Sequence, residues 1–134
     1  MSALFGVTAV TTVELEPGLT KEVVKLGDGA TPSRGDEVHA HYTGKLRDGT
    51  VFDSSRSRGK PFIFKVGLGM VISAWDVAFS SMKVGERAVI SSDAAHGYGA
   101  AGAGGVIPPN AELFFDVELL SVGAPAESGF CVVA

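Results

Sequence analysis

Glu37-Val38-His39-Ala40-His41-Tyr42-Thr43-Gly44-Lys45-Leu46, followed by Arg47-Asp48-Gly49-Thr50 and then Val51-Phe52-Asp53, is the stretch whose reading decides the fold. Val38, Ala40 and Tyr42 fall on one face and His39, His41 and Thr43 on the other, the two-residue period of a half-buried strand. Asp48-Gly49 between Leu46 and Val51 is a hairpin signal, because this pair accepts the positive φ values of a type I′ turn. The chain is expected to fold back on itself there and begin an antiparallel sheet.

Upstream, weaker alternation runs through Thr8 to Leu15 and Thr20 to Leu26, with Pro17-Gly18 between them. Gly27-Asp28-Gly29 and Thr31-Pro32-Ser33 are turn chemistry. Downstream, Phe62, Phe64 and Val66 alternate with Ile63 and Lys65, and Ala88 to Ser92 supplies a further strand. Glu112 to Leu120 is apolar on both faces, with Leu113, Phe115, Val117 and Leu119 on one and Phe114 and Leu120 on the other, as expected of a central strand. Only one segment has helical spacing. Ile72, Trp75, Phe79 and Met82 recur along it, Ser73 with Asp76 three residues on is the expected cap, and Gly85 lies just beyond its end. One short helix against an antiparallel sheet is an α+β fold.

The chain has 134 residues, enough for one domain with its own core. It is 46% hydrophobic and 19% charged with 18 glycines, a globular composition rich in turns. A net charge of −4 supplies no basic footprint, which argues against nucleic acid as a partner. A single cysteine, Cys131, excludes an internal disulfide. Met1 to Val10 lacks the positive start of a secretory signal, so the cytoplasm is the expected location.

Hydrolytic and redox chemistry lack their parts. The only thiol lies near the chain end, and neither a Gly-x-Ser-x-Gly elbow nor a phosphate loop is present. Gly97-Tyr98-Gly99 is a chance fragment of a dinucleotide fingerprint. His39 and His41 share a strand face, but no third ligand at metal spacing completes the pair, and two solvent-facing histidines is the simpler reading. What stands out is the aromatic supply close to turns: Tyr42, Phe52, Phe62, Phe64, Trp75, Tyr98 and Phe115. For Phe64, as for Phe79, a core role is sufficient. Tyr98 belongs to the long Gly/Ala-rich loop Asp93 to Asn110, and Phe52 directly precedes Asp53 at a hairpin, so these two suggest an apolar pocket with a few polar groups.

His41-Tyr42-Thr43-Gly44-Lys45-Leu46, Asp48-Gly49, Val51-Phe52-Asp53-Ser54-Ser55, Val71-Ile72 with Ala74-Trp75-Asp76, Met82-Lys83-Val84-Gly85-Glu86, Gly97-Tyr98-Gly99 and Ile107-Pro108-Pro109-Asn110-Ala111 together resemble the FKBP family of peptidyl-prolyl cis/trans isomerases. The resemblance runs from about Leu19 to Ser121, with the segments in the family's order and spacing. It implies an antiparallel half-barrel wrapped around one short α-helix, with the site between the helix and the concave face. Trp75 would be the floor for a proline ring or a macrolide's pipecolyl ring. Tyr42, Phe52, Phe62 and Phe115 would wall the site, with Val71 and Ile72 at the helix entrance and Tyr98 and Ile107 from the loop. Asp53 would pair with Arg58 and the Tyr42 hydroxyl, while the Tyr98 hydroxyl and the Ile72 N–H would hold ligand carbonyls. No metal or organic cofactor is implied. The expected partners are Xaa-Pro peptides and proteins and the macrolides tacrolimus and rapamycin, bound by a monomer.

Two departures stand out: His96 occupies a position where tyrosine is common, and Ala103-Gly104-Gly105 makes the loop tip small. The expected organisation is an N-terminal extension over residues 1–18, the isomerase domain over 19–122 and a flexible tail over 123–134. Cys131-Val132-Val133-Ala134 fits the C-a-a-X pattern of prenylation, although an accidental terminal cysteine would look the same. With no polybasic cluster and no second cysteine, one lipid would give only reversible membrane association. Two other functions fit an apolar cleft: a docking module without relevant isomerase activity, and a small β-rich ligand carrier.

Overall fold

The computed structural model describes residues 2–123; of the tail expected over 123–134, residues 124–134, Cys131 among them, lie outside the described residues, and Gly123 belongs to the last strand. Seven strands form one antiparallel sheet: β1 (Thr11–Glu16), β2 (Leu19–Lys25), β3 (Glu37–Leu46), β4 (Val51–Ser54), β5 (Phe62–Lys65), β6 (Arg87–Ser92) and β7 (Leu113–Gly123). Their order is β1-β2-β6-β7-β3-β4, and β5 also pairs with β3. β4 meets β3 along Thr43 to Lys45, and β5 meets it along Glu37 to Ala40, so the two short strands share one edge end to end. The helix α2 (Ser73–Ser80) packs into the concave face, giving the expected α+β architecture.

The core lies between α2 and that face. Val38, Ala40 and Tyr42 of β3, Leu113, Phe115, Val117 and Leu119 of β7, and Ala74, Trp75, Ala78 and Phe79 of α2 are all buried in one cluster. β7 is central, between β6 and β3. Its convex face is less apolar than alternation alone suggests. Phe114 is buried there with the Arg47 guanidinium 5.5 Å from its ring centroid. Beside it, Asp116 is buried under a two-pronged bond from Arg87, at 2.9 and 2.6 Å.

The structure corrects four local readings. The β3–β4 turn is not type I′, because Gly49 has φ 90° while Asp48 does not have positive φ. Gly49 N–H donates to the Leu46 carbonyl and Leu46 N–H to that of Thr50, each at 2.9 Å, the pattern of a three-residue loop ending in a left-handed glycine. Ser73 does not cap α2: Ile72 is the N-cap, and Ser73 Oγ donates instead to the His96 carbonyl at 3.2 Å. A second helix of one turn, α1 (Ser55–Arg58), follows β4, capped by Ser54 Oγ and closed by Gly59 at φ 69°. Four residues are too few to display a helical period. Finally, His41 is half-buried with Nδ1 2.9 Å from Ser55 Oγ, and His39 Nε2 lies 3.0 Å from Glu37 Oε1.

β1 adds an edge strand within residues 1–18. Ahead of it, a 3₁₀ turn at Ser2–Phe5 lies against β3, where Lys45 Nζ donates to the Leu4 carbonyl at 2.8 Å and stands 4.8 Å from the Phe5 ring centroid. No helix of the described residues is long and apolar enough to cross a membrane.

Candidate active site

An open cavity of about 240 Å³ sits where α2 enters the concave face. Tyr42, Phe52, Asp53, Phe62, Met70, Val71, Ile72, Trp75, Tyr98 and Phe115 line it. They come from β3, β4, β5, the β5–α2 loop, α2, the Asp93–Asn110 loop and β7, so no segment alone carries the site.

Trp75 is its floor, 5% exposed and surrounded by rings. The Tyr42, Phe115 and Phe62 centroids stand 4.7, 5.4 and 5.5 Å from it, each edge to face at 73–83°. Behind it, Phe79 and Phe64 fill the core at 5.5 and 5.9 Å. Edge-to-face contacts suit the aromatic quadrupole, so the floor is held at a fixed tilt from both sides. Phe52 stands at the mouth with its ring 5.6 Å from Phe115, again edge to face.

One polar network borders this apolar bowl. The Tyr42 hydroxyl donates to Asp53 Oδ2, and Arg58 Nη1 donates to Asp53 Oδ1 at 2.5 Å. Arg58 Nη2 also reaches the Tyr42 oxygen at 3.1 Å. The one-turn helix α1 is what brings Arg58 back over Asp53. Burial opposes ionisation of Asp53, but hydrogen bonds from Tyr42 and Arg58 outweigh it and hold the carboxyl below its ordinary value. Burial, followed by the bond to Asp53, raises the Tyr42 phenol. Asp53 is therefore a carboxylate and Tyr42 a neutral hydroxyl at neutral pH.

A second carboxylate holds the wall. Asp76 of α2 accepts from Gly67 N–H at 2.8 Å and from Gly69 N–H at 3.0 Å. Gly67 and Gly69 have φ 80° and 73°, conformations that cost glycine little and other residues more. The bonds tie the β5–α2 loop, which carries Met70, Val71 and Ile72, to the helix below it.

Of the residues named from sequence, Tyr42, Phe52, Asp53, Phe62, Val71, Ile72, Trp75, Tyr98 and Phe115 converge on the cavity, and Arg58 reaches it through Asp53. Ile107 does not line it. This side chain is 7% exposed within the core cluster, and its N–H and carbonyl pair with Ala103 in a small hairpin of the loop, at 3.0 and 2.9 Å. Sequence reasoning missed Met70, which lines the mouth while 60% exposed; a lone methionine in a glycine-rich loop carries no periodic signal. Gly44 was read only as part of a motif, yet a β-carbon there would collide with both Phe52 and Phe115. Among the described residues no group of three His, Cys, Asp or Glu side chains is placed to hold a metal ion.

Comparison with known proteins agrees with this geometry. Residues 29–120 match the family described as FKBP-type peptidyl-prolyl cis-trans isomerase. The chain is 52% identical over 104 residues to FK506-binding protein 1 of Dictyostelium discoideum, covering 78% of this chain and 97% of that one. It is 54% identical over 97 residues to the peptidyl-prolyl cis-trans isomerase Fkbp12 of Drosophila melanogaster, covering 72% and 90%. A peptidyl-prolyl cis-trans isomerase of Schizosaccharomyces pombe is 44% identical over 106 residues, covering 78% and 95%. With an aromatic bowl on an antiparallel sheet, a matched segment spanning most of the chain and relatives covered almost end to end, the chain belongs to the FKBP-type peptidyl-prolyl cis-trans isomerases.

Proposed function

We propose that the Trp75 cavity is where this isomerase turns Xaa-Pro bonds, and that tacrolimus and rapamycin occupy the same space. The observation that carries the reading is the tilt-locked Trp75 floor beside an ionised, doubly bonded Asp53. Rotation of a peptide bond faces a barrier of roughly 18–20 kcal/mol because the planar amide is resonance-stabilised. No covalent bond has to break. The twisted amide has lost resonance and part of its dipole, so a dry aromatic bowl disfavours it less than the planar, well-solvated form. Trp75 holds the proline ring while the carbonyl before it turns past the edges of Tyr42, Phe52 and Phe115 next to Asp53.

The mouth, lined by Phe52, Met70 and Ile72, favours bulky apolar residues before proline. Exchange spectroscopy on Xaa-Pro peptides with the isolated protein tests the reading. Acceleration should appear at micromolar enzyme and be suppressed by rapamycin. Acceleration that rapamycin leaves untouched would place the chemistry elsewhere, and rapamycin binding without acceleration would favour a docking module.

The protein is further proposed to act as a cytoplasmic monomer. On residues Cys131 to Ala134 alone, and on the condition that translation ends at Ala134, we also propose a prenyl group on Cys131 and reversible membrane association. Intact mass of protein from its native cells tests this, and an unmodified terminus overturns it.

A further inference from the structure

Two carboxylates from different parts of the chain converge on His96. Its Nδ1 lies 2.6 Å from Asp93 Oδ1 and its Nε2 lies 2.9 Å from Glu16 Oε1, with the His96 side chain only 16% exposed. An ionised carboxylate only accepts hydrogen bonds, so both ring nitrogens must carry protons for both contacts to be bonds. The geometry is that of an imidazolium. A neutral ring would turn one contact into a lone pair facing a carboxylate.

Three elements meet at this residue. Glu16 is the last residue of β1, and Asp93 opens the long loop, with its own N–H donating to the Gly18 carbonyl at 2.9 Å. Asp93 Oδ1 also accepts from His96 N–H at 3.0 Å, closing a 3₁₀ turn over Ala94–His96. The His96 carbonyl in turn accepts from Ser73 Oγ at the start of α2, at 3.2 Å. Ile72 precedes Ser73 and Tyr98 follows His96 by two residues, and both line the cavity.

We propose that His96 is a positioning residue of the isomerase: its bridge between Glu16 and Asp93 fastens the loop that presents Tyr98 to the cavity against β1 and the start of α2. The inference rests on the substrate occupying the Trp75 cavity. It also gives the N-terminal segment a part in the site, since Glu16 precedes the family-matched residues 29–120.

The charges around the bridge act in one direction. The bond to Asp93 first, and that to Glu16 second, hold the imidazole above its ordinary value against a smaller opposing effect of burial. The groove beside Asp93 is lined by Glu14 of β1, Glu22 of β2 and Glu112 before β7, the last of them paired with Arg47 at 2.6 Å. From α2 the neighbour is the uncharged Ser73 hydroxyl. A histidine whose folded value is raised keeps its bonds at low pH and loses them as pH rises through that value. Tyr98 should therefore be best held at the acid end of the range.

The test uses the full chain between pH 6 and 9, following kcat/KM on an Xaa-Pro peptide, rapamycin affinity, and the NMR resonances of the His96 and Tyr98 rings. A bridge between a largely buried histidine and two half-exposed carboxylates corresponds to a change of about threefold. Activity and affinity should fall by that factor with the midpoint of the His96 titration, and the Tyr98 resonances should move with it. His96→Asn should flatten the profile at its lower level. Glu16→Gln, which leaves His96 and Asp93 in place, should move the His96 midpoint and the activity step together to lower pH. A flat wild-type profile while His96 titrates, or a step that survives in His96→Asn, overturns the proposal. Absence of turnover and rapamycin binding at every pH would instead sink the cavity assignment. The Tyr98 resonances decide the bridge even then, and if they stay fixed through the His96 titration the bridge positions nothing.

Discussion

Gly44 and Phe52 approach so closely that a β-carbon on residue 44 would stand 2.6 Å from Phe52 Cζ and 2.8 Å from Cε1, with Phe115 Cε1 at 3.1 Å. Gly44 pairs with Asp53 on one side and Phe115 on the other, so the missing side chain is the space in which the two rings meet. The glycine is thus a requirement of the pocket's shape.

Gly44→Ala should push Phe52 off the mouth of the cavity. An added methyl in a packed site costs about 1–3 kcal/mol. Here much of it can be relieved by moving Phe52, which is only half-buried. Rapamycin affinity should fall by about tenfold or more while the unfolding midpoint moves little. Calorimetry and thermal unfolding on the same sample check it, and a large loss of stability with affinity intact would mean that Phe52 does not yield.

Phe52→Ala and Asp53→Ala should lower turnover more than stability, and Phe79→Ala the reverse. Phe79 is fully buried behind the floor, where removing a phenylalanine costs about 3–5 kcal/mol. Asp53 has a 43% exposed side chain, so its loss should barely change folding. Urea unfolding beside peptide exchange rates separates the two classes. Equal losses of stability and activity at all three would show the pocket to be wrongly assigned.

Asp76→Asn should loosen the wall without opening a hole. The amide keeps one acceptor for Gly67 N–H but presents a donor to Gly69 N–H, so one of two bonds becomes a clash of donors. A bond to a charged acceptor is worth about 1.5–3 kcal/mol. Hydrogen exchange at Gly69, Met70 and Val71 should quicken, and KM for Xaa-Pro peptides should rise more than kcat falls. Unchanged exchange in this loop would mean that packing alone holds it.

Lys21→Met alone should be costly, and Lys21→Met with Glu86→Leu much less so. Lys21 and Glu86 are each 5% exposed, with Lys21 Nζ 2.9 Å from Glu86 Oε2 and 3.1 and 3.0 Å from the Ser81 carbonyl and hydroxyl. Removing one partner of a buried pair strands the other charge, at about 3–5 kcal/mol, whereas an apolar replacement of both is often neutral. Denaturant midpoints of the two single variants and the double variant test this, and additive losses would show that the ions do not depend on each other.

Much of this molecule is legible without coordinates. The period of two through Glu37 to Leu46 names which side chains of β3 enter the core, because alternation is a property of extended backbone itself. The doubly apolar Glu112 to Leu120 reads as a central strand for the same local reason. Helical spacing from Ile72 to Met82 finds α2 but misplaces its cap, since a serine near a helix start can bond either its own turn or a distant carbonyl, and Ser73 takes the His96 carbonyl. The one-turn helix α1 has no period to read.

Patterns carried by neighbours in the chain thus encode the sheet and its longer helix, and the family resemblance adds the aromatic residues of the site. The folded arrangement adds that Met70 and not Ile107 lines the cavity, that Gly44 makes room for Phe52, and that Asp76 and His96 fasten the two loops at its rim. The reason is range. His96 bonds Glu16 across 80 residues of sequence and Gly44 meets Phe115 across the β3–β7 pairing, contacts between segments that come together only once the sheet has formed, while Ile107 lies in the core cluster with its backbone paired to Ala103 in its own loop.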